Sequence, residues 1–575
     1  MNSSPLPPSI ISAISVLDSL VRAGMRHVVV APGSRSAPLT YALAALEQAQ
    51  AITSHVRIDE RSAGFTALGL AKELKSPVGI VTTSGTAVGE LTPAVMEAYH
   101  SGIPLIVLSA DRPERLRGTG ANQTTHQPGM FSNFVRAQVD LIDYSPETTG
   151  EQAQAFSTAL EVAFERETGD WGKLSHRASG PVHLNIAFDT PLTPQPEVAS
   201  LLNEWAQSLA ELPAPQKPRV AVSGYVQWQQ SLNSELSTTE YACSRAVVIA
   251  GDGAGPLAQE FAERQHLPLF AEPSAGIGVS QNAVLAYRDL ASSELWESIE
   301  KVVLFGHPTL SRPISALLEN TSVQRALFVV KEPSWFTPGR RGEKLFSNIG
   351  ELAEFAGVGN GSGSDQHSSW LESWISAGAR RHQELMEQVQ QWRETGQNTG
   401  RAAGMSLALQ AWQDAAARQE ILVCGSSNLI RDLEIIASWN QCAPVVYASR
   451  GLAGIDGTLA TACGISLATA QRGKETAQPV RMICGDLTFI HDISSLNIGP
   501  LELKPKVTVE VLDDCGGGIF GTLEHGKLGQ DEHFSQAVNR YFTTPHDLDL
   551  QKIAESFGQN HGISVSVHTP QNNAT

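Results

Sequence analysis

Cysteine is scarce. Six occur in 575 residues (Cys243, Cys424, Cys442, Cys463, Cys484, Cys515), and none falls in a CxxC pair. That excludes a disulfide scaffold and a thiolate zinc site, and it suits the reducing cytoplasm. Charge is sparse as well: 17% of residues are charged, and the net charge is −18. A nucleic acid or an anionic membrane surface is therefore not an expected partner. No apolar run approaches the ~18 residues of a membrane span. The opening MNSSPLPPSI lacks a basic region followed by an apolar core, so no signal peptide is expected.

What is present is a chain 42% hydrophobic, with 49 Gly and 31 Pro, the composition of a folded α/β enzyme. Its length suggests roughly three or four domains at ~150 residues each. Two polar stretches, Leu212–Arg219 and Val358–Ser369, read as linkers. They divide the chain into 1–195, 215–357 and 370–575. Each block alternates apolar runs with helical patterns, which predicts doubly wound parallel sheets. In the first block, strands are expected at His27–Val30, Ala51–Val56, Val78–Thr82, Ile103–Leu108 and Val182–Ile186. In the second they are expected at Ala246–Ala250, Leu267–Phe270 and Lys301–Phe305, and in the third at Glu420–Cys424, Val445–Tyr447, Arg481–Cys484 and Lys506–Leu512.

The last two runs carry the strongest signal. One stops at Gly485-Asp486, the other at Asp513-Asp514-Cys515-Gly516-Gly517-Gly518, with a crossover between them. In a parallel sheet both acidic ends project beyond the carboxyl edge, where ligands bind. Two such carboxylates can hold Mg²⁺, which commonly takes one or two carboxylates plus phosphate and water. The glycines let the backbone approach a diphosphate. A second Gly-Asp turn, Gly251-Asp252-Gly253-Ala254-Gly255, has no acidic strand end at the matching distance and reads as a plain βα turn.

This pattern resembles the metal fingerprint of thiamine-diphosphate-dependent enzymes. The resemblance implies that Asp486, Asp514 and the Gly516 carbonyl bind Mg²⁺ or Mn²⁺. Leu487 stands where that pattern commonly has Gly, and Asp513-Asp514 where it has two Asn, which leaves Asp513 or Asp514 as the second ligand. Gly485, Leu487, Gly517, Ile519 and Phe520 would border the cofactor. Glu60, at a strand-to-helix junction in His55-Val56-Arg57-Ile58-Asp59-Glu60-Arg61, matches the acid that hydrogen-bonds N1′ of the aminopyrimidine. Thr83 and Gly85 are further cofactor-binding candidates, and Ile455 in Arg450-Gly451-Leu452-Ala453-Gly454-Ile455-Asp456-Gly457 matches the wedge beneath the bent cofactor.

Ala31-Pro32-Gly33-Ser34-Arg35-Ser36-Ala37-Pro38-Leu39, Thr83-Ser84-Gly85-Thr86-Ala87, Ala110-Asp111-Arg112-Pro113, Gly120-Ala121-Asn122-Gln123 and Gln127-Pro128-Gly129-Met130-Phe131 narrow the likeness. With the 450–457 turn they resemble the 2-succinyl-5-enolpyruvyl-6-hydroxy-3-cyclohexene-1-carboxylate synthase family over nearly the whole chain. The resemblance implies a homodimer or dimer of dimers that decarboxylates 2-oxoglutarate and adds the succinyl unit to isochorismate in menaquinone biosynthesis. Both substrates are dianions, so an acidic protein must gather guanidinium groups locally. Ser34, Arg35, Arg112, Asn122, Gln123, Arg312, Ser427, Arg431 and Arg450 are the substrate-pocket candidates, with Arg35, Arg431 and Arg450 also expected to act in catalysis beside Glu60. Ser311 departs from members that carry Lys before the Arg. Another thiamine-diphosphate 2-oxoacid enzyme would share the fold without needing Arg35, Arg431 and Arg450 around a second dianion. His55, His126, His307 and His525 read as structural or surface residues.

Overall fold

Branched apolar residues dominate the strands, and both faces of each sheet are covered, as parallel sheets require. The computed structural model describes residues 6–164, 179–213, 245–337, 339–357, 364–396, 400–470, 477–558 and 562–570. The first sheet contains β1 (His27–Val30), β2 (Thr53–Val56), β3 (Val78–Thr82), β4 (Leu105–Asp111), β5 (Ala137–Ile142) and β6 (Val182–Ala187), in the order β2-β1-β3-β4-β6-β5. The second has β7 (Ala246–Ala250), β8 (Leu269–Ala271), β9 (Lys301–Phe305), β10 (Gln324–Phe328) and β11 (Lys344–Phe346), ordered β11-β10-β9-β7-β8. The third has β12 (Ile421–Cys424), β13 (Val446–Tyr447), β14 (Pro479–Gly485), β15 (Lys506–Leu512) and β16 (Ile563–His568), ordered β13-β12-β14-β15-β16. The strand pairs within each sheet are parallel. Successive residues feed opposite cores: Val28 and Val30 pack into one layer, Val29 into the other. Ile421 and Val423 likewise face away from Leu422 and Cys424.

Strand order reverses between β1 and β3 and again between β12 and β14. Crevices at such switch points are where open α/β sheets bind ligands. The helices Glu60–Leu74 and Thr458–Leu467 join the first and third sheets. They cross where Gly69 and Gly464 remove side chains: a Cβ at either would lie 2.1 Å from the carbonyl oxygen of Thr461 or Thr66.

Five elements differ from the sequence reading. β5, β10, β11 and β16 were not anticipated. The presumed linker Val358–Ser369 is helical from Ser364, at the start of helix Ser364–Glu394. Trp370 and Trp374 anchor that helix in the core of the second sheet, and the Trp370 indole donates to Ala246 O at 2.9 Å. The Ser- and Gly-rich composition hid a helix held from its interior. The other linker, Leu212–Arg219, lies outside the described residues from 214 onward, as do 358–363.

Candidate active site

The acidic end of the third sheet is built by register. Gly485 on β14 pairs with Leu512 on β15, so Asp486 and Asp513 leave their strands side by side. Asp486 is buried. Its Oδ1 accepts the Leu487 N–H at 2.6 Å, and its Oδ2 accepts the Gly516 N–H at 2.6 Å. A residue the sequence reading passed over completes the arrangement: His546 Nε2 lies 2.9 Å from Asp486 Oδ2 and 3.7 Å from Asp513 Oδ1. Ligand atoms of Asp486, Asp513 and His546 fall within 4.8 Å of one another.

Asp514 stands outside that trio. Its carboxylate turns toward Gly518, where a Cβ would lie 2.0 Å from Oδ2. Burial, and then the Asp486 charge, push the Asp514 carboxyl up to about 6. Burial also raises Asp486, against the pull of its hydrogen-bond donors. The Gly516–Gly518 turn is fitted closely by its own chain: at Gly516, φ is 150° and a Cβ would lie 2.5 Å from Thr543 O. The Gly516 carbonyl accepts Gly518 N–H at 3.0 Å. These oxygen-rich groups fit a hard divalent cation and the diphosphate it would bridge.

Glu60 opens the helix Glu60–Leu74 and is half-buried. Asp59 caps that helix by accepting the Ser62 N–H at 3.1 Å, and it also accepts the Ser494 hydroxyl at 2.6 Å. Arg61 reaches His491 O at 2.7 Å. The helix start is thus tied to the segment just beyond Asp486 in the same chain.

The substrate-pocket candidates assemble as two groups. At the first switch point, Gly33 allows the turns after β1 and β3 to touch: a Cβ there would lie 2.2 Å from that of Thr83. Ser34 and Arg35 follow. Arg35 is buried and donates to Phe188 O at 2.8 Å, and among the described residues its Nε has no partner. Gln123 donates to Ser84 O at 2.9 Å beside Gly85, and Arg112 donates to Asn122 O at 2.9 Å. Burial lowers the Arg35 guanidinium, and the nearby Arg112 charge adds to this.

The second group spans the second and third sheets. Arg431 donates to Ser427 O, within a turn whose Ser427 φ is 105°. Burial lowers the Arg431 guanidinium, followed by the charges of Arg450 and Arg288, with Arg312 also contributing. Arg450 is buried and donates to Thr309 Oγ1 at 2.8 Å and Thr309 O at 3.1 Å. Glu272, which the sequence reading also missed, accepts Thr309 N–H and Leu310 N–H at 2.9 and 2.8 Å. Burial, and then the Glu434 charge, push its carboxyl up to about 8. Glu97 accepts Gly451 N–H and Leu452 N–H at 2.8 and 2.7 Å, fixing the turn before Ile455. No hydrogen bond or ion pair among the described residues joins a member of one group to a member of the other.

Two family models match this chain: the N-terminal TPP binding domain of thiamine pyrophosphate enzymes over residues 13–130, and their C-terminal TPP binding domain over 436–574. A curated 2-succinyl-5-enolpyruvyl-6-hydroxy-3-cyclohexene-1-carboxylate synthase of Renibacterium salmoninarum is 44% identical over 95% of this chain and 88% of its own length. The chain belongs to that synthase family. Relatives with the same name from Paenarthrobacter aurescens and an Arthrobacter species are 43% and 42% identical, covering 96% and 94% of this chain and 89% and 83% of their own. The chain is thus a thiamine-diphosphate-dependent transferase by family. Among the described residues no helix is long and apolar enough to cross a membrane.

Proposed function

We propose that this enzyme joins 2-oxoglutarate to isochorismate with loss of CO₂, giving 2-succinyl-5-enolpyruvyl-6-hydroxy-3-cyclohexene-1-carboxylate for menaquinone biosynthesis. The observation that carries this reading is the pairing of oxygen donors at Asp486 with clustered arginines at Arg431 and Arg450, around the switch crevice of the third sheet in an acidic protein. Two dianionic substrates call for that concentration of guanidinium groups.

Thiamine diphosphate, when bound, supplies the electron sink that lets the substrate carboxylate leave as CO₂. The chain's own residues do the rest. Asp486 would hold the Mg²⁺ or Mn²⁺ that neutralises the diphosphate. Asp514 and the Gly516 carbonyl complete the cation site in the family pattern, while Asp513 is the carboxylate grouped with Asp486 here. Gly485, Leu487, Gly517, Ile519 and Phe520 border the cofactor, and Ile455 supports its bend. Glu60 would hold a proton at N1′ of the aminopyrimidine, with Thr83 and Gly85 as further cofactor contacts. Arg35, Arg112, Arg312, Arg431 and Arg450 take the substrate carboxylates, with Ser34, Asn122, Gln123 and Ser427 as polar neighbours.

The division 1–195, 215–357 and 370–575 gives three units with one sheet in each. We take the working enzyme as a cytoplasmic homodimer in which the first unit of one subunit meets the third unit of the other. Ile58 and Leu501, 70% and 87% exposed, leave apolar surface on the first and third units for a partner subunit to cover. The cytoplasmic placement rests on the free thiols of Cys424, Cys442, Cys463, Cys484 and Cys515. Mass spectrometry of products from 2-oxoglutarate and isochorismate, with and without thiamine diphosphate, tests the reaction. A cofactor-dependent condensation product is expected, and turnover of pyruvate alone in its place would overturn the reading.

A further inference from the structure

Asp486 is held from three sides. Oδ1 accepts one backbone donor, Leu487 N–H at 2.6 Å; Oδ2 accepts Gly516 N–H at 2.6 Å and faces His546 Nε2 at 2.9 Å. The other imidazole nitrogen settles which proton His546 carries. Leu548 N–H points at His546 Nδ1 at 3.3 Å, so Nδ1 is the acceptor and Nε2 bears the hydrogen. A nitrogen that donates to a carboxylate cannot at the same time coordinate a cation. Although its ligand atoms lie within 4.8 Å of those of Asp486 and Asp513, His546 is therefore arranged as the partner of a ligand.

We infer that His546 is a positioning residue for the cation site, fixing Asp486 so that Oδ1 faces the metal. Each carboxylate oxygen offers two lone pairs. Oδ2 spends both on Gly516 and His546, while Oδ1 spends one on Leu487 and keeps one. Asp486 accordingly binds the cation through Oδ1 alone. The imidazole is itself held in place: its side chain is only 11% exposed, and the segment leading to it docks on the glycine turn through Gly517 N–H to Thr543 O at 2.6 Å. Groups that orient a ligand in this way tune metal affinity about 10- to 100-fold.

The inference rests on the cation site proposed above. Its test is Mn²⁺ binding to the full-length protein in the presence of thiamine diphosphate, read from the electron paramagnetic resonance signal of free Mn²⁺. His546→Leu removes the donor and should weaken Mn²⁺ binding about 10- to 100-fold. His546→Gln places an amide N–H near the Nε2 position and should stay close to wild type, whereas the shorter His546→Asn should not. In wild type, nitrogen hyperfine spectra of bound Mn²⁺ should lack the coupling of a directly ligated imidazole. Unchanged affinity in the Leu and Asn variants overturns the inference, and so does a directly bound imidazole nitrogen. Failure of wild type to bind Mn²⁺ with thiamine diphosphate would instead overturn the cation-site reading beneath it. The hyperfine measurement needs no variant, so it stands even if His546→Leu does not fold.

Discussion

In the first sheet the chain leaves β1 and β3 into Gly33–Arg35 and Thr83–Gly85; in the third it leaves β12 and β14 into Gly425–Ser427 and Gly485–Asp486. The strand order at these two places is the same, with the second strand outside the first and the third beside it. The chemistry is not. The first crevice offers Arg35, Arg112 and the Gln123 amide, with no metal-ligating cluster among the described residues, and an acid, Glu60, follows β2. The third offers the Asp486, Asp513 and His546 cluster together with Arg431 and Arg450. In the proposed reading, one topology serves as complementary halves: an end to anchor a cation and diphosphate, and an end to protonate and orient a ring.

The sharpest way to break the comparison is to remove the anchor. Asp486→Ala should abolish tight binding of thiamine diphosphate measured calorimetrically with Mg²⁺, since the proposed cation site would lose the carboxylate that anchors it. Asp513→Ala and Asp514→Ala should then differ, and the weaker binder names the second ligand. Normal cofactor affinity in both would remove the glycine turn from the anchor. In the other half, Glu60→Gln should lower turnover by about 10²–10⁴, the scale for a positioned proton-transfer group, while cofactor affinity falls less. Near-normal exchange of the cofactor C2 proton in that variant would take the role away from Glu60.

A smaller effect probes the prop beneath Arg450. Glu272 keeps its proton to about 8 in the folded protein, against an ordinary value of 4.5. A raised carboxyl contributes stability that is full below the unfolded value and is lost as pH climbs from about 4.5 to about 8. Glu272→Gln lacks that titration. Its melting temperature relative to wild type should therefore move in favour of the variant between pH 5 and pH 8 in scanning calorimetry. A constant difference would mean that Glu272 is ionised throughout.

These contrasts bear on what could be read from residues alone. Strands buried on both faces, such as Val78–Thr82 and Lys506–Leu512, are legible because branched apolar runs end in turn residues. β5 and β16 are edge strands with alternating exposure, carrying Gln138, Asp140, Ser564 and Ser566, and their polar faces mask them. β10 begins Gln324-Arg325, and β11 is only three residues long. At the site, the acids and glycines that follow strands were visible because strand ends position them. His546, Glu97 and Glu272 were not, since each reaches its partner from a distant part of the chain and no local spacing marks it.

The central proposal is that Glu60 of one subunit works with Asp486 of its partner, and a mixed dimer tests it most directly. Glu60→Gln and Asp486→Ala chains should each be inactive. Co-expressed, they give dimers in which one site carries both changes and the other carries neither. Random pairing makes about half the dimers mixed, each with one intact site of two, so activity should return to about a quarter of wild type in a closed symmetric dimer. Mixed dimers that are isolated and yet show no recovered turnover would contradict the account.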